Sequence, residues 1–206
     1  MRKLMFAVAV ACVLAGCGNQ GNQTAQVENG GNAAIENIMA RKSVRSFTGR
    51  QVDEETMTTM LKAAMAAPSG VNRQPWCFVV LNDTARFDAL FEGNFNLRVF
   101  KSAGTVVAIC ADTTMEARGQ QGRVRNDLWR DDMGACTENF LLAAEALGLG
   151  AVWTAGYPYQ DRMAVKSQIG LPENVIPYCL VAVGYPAGND APKDKFKPER
   201  IHWNNW

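Results

Sequence analysis

The stretch NFLLAAEALGLGAVWTAGY, from Asn139 to Tyr157, contains the end of a long apolar helix, a glycine that can close it, and a strand. The helical pattern begins near residue 126 and ends at Leu147. Gly148 follows it directly, which is typical of a helix C-cap. The apolar run 151–157 then has the length and composition of a buried strand. A helix this apolar near its end is predicted to be the central helix of the fold.

Helices and short apolar strands alternate on both sides of this stretch. Asp53 opens a helix with a stripe of apolar side chains, and Pro68 must end it. Further helices are predicted over 83–91 and 160–169, with a shorter one capped by Asn32. Strands are predicted over 76–81, 105–111, 151–157 and 178–185, and 92–104 is predicted as a long functional loop. This alternation predicts a helix-covered sheet of the α/β or α+β class.

Composition and motifs exclude several classes of function. The 206 residues include 21 basic and 20 acidic side chains and no long basic run, so a nucleic-acid partner is not favoured. His202 is the single histidine, which leaves zinc sites and His-dependent triads without their ligands or base. GLGAVW fails the G-x-G-x-x-G pattern because Trp153 occupies the place of the third glycine. No metal site is predicted.

The N-terminus resembles a bacterial export signal. Arg2 and Lys3 precede a mostly apolar run, Leu4 to Gly16, that is too short to span a bilayer comfortably. The sequence LAGC, ending at Cys17, resembles a lipobox, whose cysteine becomes the lipidated first residue of the mature protein. An uncleaved anchor or an ordinary signal peptide with a chance cysteine are the alternatives.

We therefore expect three regions. Residues 1–16 would be a lipoprotein signal peptide, 17–33 a flexible tether rich in Gly, Asn and Gln, and 34–206 the folded domain. The protein would be exported and lipid-anchored to the cell envelope, on its periplasmic or surface side.

Four cysteines follow Cys17, each within an apolar run and none in a C-x-x-C pair: Cys77, Cys110, Cys136 and Cys179. This placement predicts small, buried core residues. Export would permit a disulfide, which spacing alone does not establish.

The segment RKSVR is a candidate anion site. It places three cations and a hydroxyl within five residues, namely Arg41, Lys42, Ser43 and Arg45. Such groups suit a phosphate, although taken alone the cluster also fits a solvated basic patch. The tail adds a second cationic group, Lys193, Lys195 and Lys197, that could close on the same phosphate. Because the chain offers few acids, bases or nucleophiles for catalysis, an enzyme of this sequence would need a cofactor to carry the chemistry.

Four ordered motifs, ARKSVRSF, APSGVNRQPWCFVV, NFLLAAEALGLGAVWTAGY and GYP with a basic tail, resemble the FMN-dependent nitroreductase family from about Ile35 to the C-terminus. The resemblance implies an α+β fold in α/β/α layers, with a mixed central sheet covered by helices. It also implies an interlocked homodimer that binds one FMN at each of two interface sites. The implied phosphate ligands are Arg41, Lys42, Ser43, Arg45, Lys193 and Lys195, although Lys195 and Lys197 fit with a shift of two.

The resemblance also assigns residues beyond the phosphate. The implied flavin contacts are Pro68, Ser69, Gly70 and Asn72 from the partner subunit, Asn96 at the pyrimidine edge, and Ala155 and Gly156 beside flavin N5. Ala155 stands where better-studied members have Glu, so Gly156 is the safer assignment. Trp129 and Tyr157 are candidate aromatic walls for a substrate, and 112–126 is a candidate lid or a solvated linker.

The activity implied by the resemblance is FMN-dependent reduction of nitroaromatics, quinones or related acceptors. In this ping-pong reaction NAD(P)H reduces the flavin and leaves before the small-molecule oxidant binds. An exported protein meets little NAD(P)H, so another reductant or another reaction stays open. The alternative of a different class is a membrane-tethered flavin-binding or interaction lipoprotein without turnover.

Overall fold

The computed structural model describes residues 31–116, 123–125, 127–155 and 159–206. Asn32–Trp206 forms a compact unit. The predicted signal peptide, with Cys17 after it, and all but the last three residues of the predicted tether lie outside the described residues.

The first two helices begin at capping side chains that the sequence supplies. Asn32 Oδ1 accepts a hydrogen bond from the N–H of Ala34 at the start of α1, and Asp53 accepts one from the N–H of Thr56 at the start of α2. The six helices of the described residues are α1 Ala33–Ala40, α2 Glu54–Met65, α3 Phe87–Leu90, α4 Leu97–Ala103, α5 Trp129–Ala146 and α6 Tyr159–Gln168.

The strands form one main sheet and one hairpin. They are β1 Trp76–Leu81, β2 Val106–Asp112, β3 Thr114–Glu116, β4 Arg123–Arg125, β5 Gly150–Ala155 and β6 Val175–Gly184. The main sheet has the order β1-β2-β6-β5, and each neighbouring pair is antiparallel. The parallel pairing found among the described residues is the isolated bridge between Ser43 and Ala151, so the mixed character expected of the sheet is limited to that bridge.

Helices cover both faces of the main sheet, which confirms the α+β fold with α/β/α layers. Alternate residues of β2 point to opposite faces. Val107 and Ile109 pack in a core with Met60 of α2 and Phe140 of α5. The other face packs in a second core, built around Phe87, Phe91, Phe100, Val106 and Ala108.

Two segments differ from the prediction in secondary structure. The predicted loop 92–104 contains α4, which buries Phe100 and Ala103 and ends at Gly104 with φ 71°. The predicted helix 83–91 is a 3-10 turn, Thr84–Arg86, followed by the short helix α3. The helix predicted over 83–91 is thus confirmed in a shorter form, with Phe87 and Leu90 buried. The prediction of a loop over 92–104 was wrong because few apolar side chains mark α4 in the local sequence, so its burial in the fold decides its conformation.

The hairpin β3–β4 was not predicted, and it lies in the segment 112–126. Residues 117–122 and 126 fall outside the described residues, so the lid stays a prediction. Strand β6 begins three residues before its predicted start and includes Pro177, which pairs at the register shift between Ile109 and Cys110. A proline is tolerated there because the bulge interrupts the ladder.

Three of the four cysteines lie in the core, and the fourth does not. Cys110, Cys136 and Cys179 are buried, whereas Cys77 is exposed, which corrects the prediction for that residue. Cys77 lies on β1, an edge strand, so fewer neighbours cover it. All four are free thiols.

This difference predicts selective labelling of Cys77. Burial raises the pKa of Cys110 and of Cys136 to about 12, and it raises the pKa of Cys179 further. Partial burial and the charge of Asp112 also raise the pKa of Cys77. Because the thiolate reacts, iodoacetamide should label Cys77 faster than the other three in the folded protein, at a rate that rises steeply from pH 7 to pH 9.

Peptide mapping by mass spectrometry measures this labelling, with protein unfolded in urea as the control in which all four thiols react. Labelling of Cys136 as fast as that of Cys77 in the folded protein contradicts the prediction.

Candidate functional site

A cavity of about 380 Å³ brings the two basic groups of the sequence together. Its lining residues are Arg41, Lys42, Ser43, Arg45, Asp190, Ala191, Lys193 and Lys195. Lys197 does not line the cavity. Of the two pairs that fit the family pattern, the geometry therefore favours Lys193 with Lys195 over Lys195 with Lys197. Five cations around one hydroxyl make the cavity suited to an anion.

The segment after α1 is fixed at the edge of the sheet by β5. The N–H of Val44 donates to the carbonyl of Ala151 at 3.0 Å, next to the bridge between Ser43 and Ala151. Val44 is buried against Gly150, where an added Cβ would lie 2.8 Å from Val44 Cβ. This close approach requires glycine, and it leaves the neighbouring Ser43 to line the cavity.

The C-terminal tail reaches the same cavity because, after β6 ends, it pairs with the segment that follows α1. Phe47 forms an antiparallel bridge with Pro186, and the N–H of Ala187 donates to the carbonyl of Ser46 at 3.0 Å. These contacts carry the chain toward Asp190 and the two lysines that follow it.

Helix α5 supplies carboxylates to two of the cations. Arg41 Nε lies 3.2 Å from Glu138 Oε1, and Lys42 Nζ lies 3.1 Å from Glu145 Oε1. No ion pair within the described ranges involves Arg45, Lys193 or Lys195. These three cations are therefore the ones best able to bind an external anion, with Asp190 as the one acidic residue of the lining.

The loop after α2 has an unusual backbone. Val71, Asn72 and Gln74 have φ values of 56°, 55° and 52°, in the left-handed region that non-glycine residues rarely adopt. Ser69 Oγ accepts a hydrogen bond from the N–H of Gln74 at 3.0 Å, and Gln74 Nε2 donates to Asn72 Oδ1 at 2.8 Å. None of these residues lines the cavity in the same chain.

Comparison with known proteins decides the family. The profile of the nitroreductase family matches residues 38–92 and 84–185. The chain belongs to the nitroreductase family.

Individual relatives match nearly the whole domain. An Archaeoglobus fulgidus protein named "Putative NADH dehydrogenase/NAD(P)H nitroreductase" is 36% identical over 176 residues, which cover 84% of this chain and 98% of the relative. A Bacteroides thetaiotaomicron crystal structure of the same name superposes with a TM-score of 0.76 at 40% identity, covering 85% of this chain and 99% of the other.

A more distant solved structure carries ligand information in its name. The NADPH:FMN oxidoreductase of Vibrio harveyi, in complex with NAD+, superposes with a TM-score of 0.70 at 28% identity. The match covers 85% of this chain and 78% of that one.

The described residues among the remaining assignments of the family resemblance do not line the cavity. Asn96 is half-buried before α4, where its N–H donates to Asn94 Oδ1 at 2.9 Å. Ala155 is the last residue of β5. The predictions for Gly156 and Tyr157 fall outside the described residues.

Trp129 does not form an aromatic wall. Its side chain is only 4% exposed and belongs to the core between α2, α5 and the sheet. The ring packs edge-on against Tyr178 with centroids 6.1 Å apart, and the guanidinium of Arg130 covers it at 4.4 Å. A side chain enclosed in this way presents no surface to a substrate, so the prediction for Trp129 was wrong.

Sequence reasoning missed Asp190 and the carboxylates of α5. Glu138 and Glu145 are seven residues apart, which places both on one face of a helix and is the signal that could have indicated a pair of ionic contacts. No pattern in the sequence singles out Asp190.

The described residues contain neither a membrane-spanning helix nor a metal-binding cluster. No described helix has the length and apolar character needed to cross a bilayer. No group of three or more His, Cys, Asp or Glu residues in the described part of the chain is placed to hold a metal ion.

The pair of Lys42 and Glu145 should stabilise the fold measurably. The two side chains are only 22% and 17% exposed, so Lys42→Met leaves a largely enclosed carboxylate without its partner. We expect the free energy of unfolding to fall by about 1–3 kcal/mol in urea denaturation.

A matched control is Lys101→Met, which breaks the exposed pair of Lys101 and Asp88 and should cost about 0–1 kcal/mol. Equal losses for the two variants would show that the pair on α5 has no special role.

Proposed function

We propose that the protein is an FMN-dependent oxidoreductase that reduces nitroaromatic, quinone or related acceptors, in ping-pong order, with NAD(P)H or another reductant as electron donor. The single observation that carries the proposal is the cavity in which the opening basic segment and the tail lysines meet. The names of the relatives support it, because they include NAD(P)H nitroreductase and NADPH:FMN oxidoreductase activities.

The residues of the cavity fit the phosphate of FMN. A phosphomonoester carries close to two negative charges at neutral pH, and Arg and Lys donors form its strongest hydrogen bonds. Arg45, Lys193 and Lys195 would hold it, with Ser43 as a neutral donor. Arg41 and Lys42 contribute positive potential while their ion pairs with α5 keep the segment in place.

When bound, FMN supplies the hydride chemistry, so no side chain needs to act as a nucleophile. The task of the chain is to hold and orient the cofactor and to stabilise negative charge near it. Arg45 and the tail lysines position its phosphate end. The loop Ser69–Asn72, Asn96 and the backbone at Gly156 would contact the flavin ring, as the family resemblance implies.

The proposed functional unit is a homodimer. Helix α1 and the tail leave large apolar side chains exposed, among them Ile35, Ile38, Met39, Phe196 and Trp203. Apolar surface of this extent is typical of a protein–protein interface. The loop Ser69–Asn72 does not reach the cavity of its own chain, which supports the proposal that it serves the site of the partner.

Replacing the tail lysines tests the cofactor assignment. Lys193→Gln and Lys195→Gln should each raise the Kd for FMN roughly ten- to hundredfold, since a hydrogen bond to a charged group contributes about 1.5–3 kcal/mol. Lys197→Gln is the matched control, because Lys197 is exposed and lies outside the cavity. Quenching of FMN fluorescence measures all three affinities.

If the control variant loses as much affinity as the other two, the phosphate does not bind in this cavity. A wild-type protein that is colourless and takes up no FMN would overturn the proposed function as a whole.

Turnover distinguishes an enzyme from a binding protein. With the chain lacking residues 1–17 and loaded with FMN, a suitable donor should bleach the yellow absorbance, and an added quinone or nitroaromatic should restore it. A flavin-binding or interaction lipoprotein would retain its colour with every donor.

We also propose that the protein is exported and anchored to the cell envelope by a lipid on Cys17. The support is the sequence of residues 1–17, with its short apolar run and LAGC ending. In a bacterial host, Cys17→Ser should move the protein out of the membrane fraction and abolish labelling by radioactive palmitate.

Cys12→Ser is the matched control for this experiment, since it changes a cysteine of the same segment outside the LAGC sequence. Membrane association that survives Cys17→Ser unchanged would contradict the lipid anchor.

A further inference from the structure

Asp132 is a buried carboxylate that the proposed chemistry does not use. It lies in the first turn of α5, and its residue is only 4% exposed. One oxygen, Oδ1, accepts a hydrogen bond from the N–H of Gly70 at 2.7 Å. The other, Oδ2, has no hydrogen-bond partner among the described residues. Burying a carboxylate costs free energy, so we expect its hydrogen bond to Gly70 to have a function.

The hydrogen bond that Asp132 accepts comes from Gly70, the residue that precedes the left-handed residues of the loop Ser69–Gln74. Val71 is β-branched and 59% exposed, yet it adopts φ 56°, a conformation that is unfavourable for such a side chain. Because more than half of Val71 is exposed, packing within the chain compensates little for this conformation. Such a backbone persists only where surrounding contacts hold it.

The loop is held from outside at both ends. At its start, Gly70 is bound by Asp132, and at its end the carbonyl of Pro75 accepts a hydrogen bond from the N–H of Asp112 at 2.8 Å. Between these two points the loop's hydrogen bonds to described residues are internal, such as that from the N–H of Asn72 to the carbonyl of Ser69. Asp132 is thus a side chain of helix α5 that binds the loop directly.

The lack of a side chain at Gly70 allows this contact. A Cβ at that position would lie 2.6 Å from Leu128 Cδ1 and 3.3 Å from Leu128 Cβ, so a larger residue would require the Leu128 side chain to move. The distance of 2.7 Å is short for a bond from a backbone N–H, as expected when the acceptor is a carboxylate.

We propose that Asp132 is a positioning residue, which holds the loop Ser69–Gln74 in its left-handed conformation through Gly70 and so prepares it to meet the flavin. The second half of this inference rests on the proposed function, in which the loop lines the cofactor. A loop that is already ordered loses less conformational entropy on binding, so the bond should increase the affinity for FMN without touching it.

Two variants separate the hydrogen bond from the charge. Asp132→Ala removes the acceptor, whereas Asp132→Asn keeps one oxygen for Gly70. Asp131→Asn is the control, because Asp131 carries the same charge in the same helical turn but is exposed. All are made in the chain lacking residues 1–17, which retains the compact unit Asn32–Trp206.

The first readout needs no cofactor. Hydrogen exchange of the Gly70 amide, followed by NMR, should accelerate at least tenfold in Asp132→Ala and stay within about threefold of wild type in Asp132→Asn. The second readout is the Kd for FMN, which should rise about tenfold in Asp132→Ala and recover in Asp132→Asn. Asp131→Asn should change neither quantity.

Unchanged protection of Gly70 in Asp132→Ala would overturn the inference, as would an Asp132→Asn variant impaired as much as Asp132→Ala. If the alanine variant does not fold, Asp132→Ser replaces it. Its hydroxyl can bond to its own helix but is too short to reach Gly70, so the same two changes are expected.

The two readouts also separate this inference from the proposed function. A wild-type protein that binds no FMN would overturn the proposed function, while the exchange of Gly70 would still decide whether Asp132 holds the loop. Slower exchange in wild type than in Asp132→Ala, with equal FMN affinity in both, would confirm the contact and overturn its role in cofactor binding.

Discussion

The packing of α5 between α2 and the main sheet is the constraint on which both parts of the candidate site depend. Met133 and Phe140 are fully enclosed there, so the rotation and the axial position of the helix are fixed by close packing. The packed helix therefore fixes the positions of its own polar side chains. Asp132 holds the loop that follows α2, and Glu145 holds the basic segment that follows α1.

The length of α5 also separates these two parts. Asp132 and Glu145 are 13 positions apart, which at about 1.5 Å per residue places them roughly 20 Å apart along the helix axis. The anion cavity and the strained loop consequently lie toward opposite ends of the same helix. A cofactor that contacts both kinds of element is most simply served by the cavity of one copy and the loop of another, which is why the homodimer and the cofactor site are a single proposal.

Sequence reasoning succeeded where local pattern and burial agree. The acidic start of α2, the apolar run of β1 and the long stripe of α5 are each sufficient to define their element, and the two basic groups were recognised by residue type. Its errors involve contacts between distant residues. The burial of Trp129, the exposure of Cys77 on an edge strand and the ion pairs from α5 to Arg41 and Lys42 depend on which elements become neighbours. That information is not contained in any short window of sequence.

In the proposed site, cofactor binding and the choice of electron donor are physically separable. Affinity for FMN would come mainly from Arg45, Lys193 and Lys195, which contact a phosphate far from the reacting ring. The donor would meet the ring itself, near β5 and the loop of the partner, and these elements do not line the anion cavity. A change of donor therefore requires no change in the phosphate site. Export from the cytoplasm, where NAD(P)H is made, is compatible with the same cofactor and the same cavity, provided that a different reductant fits over the open face of the flavin.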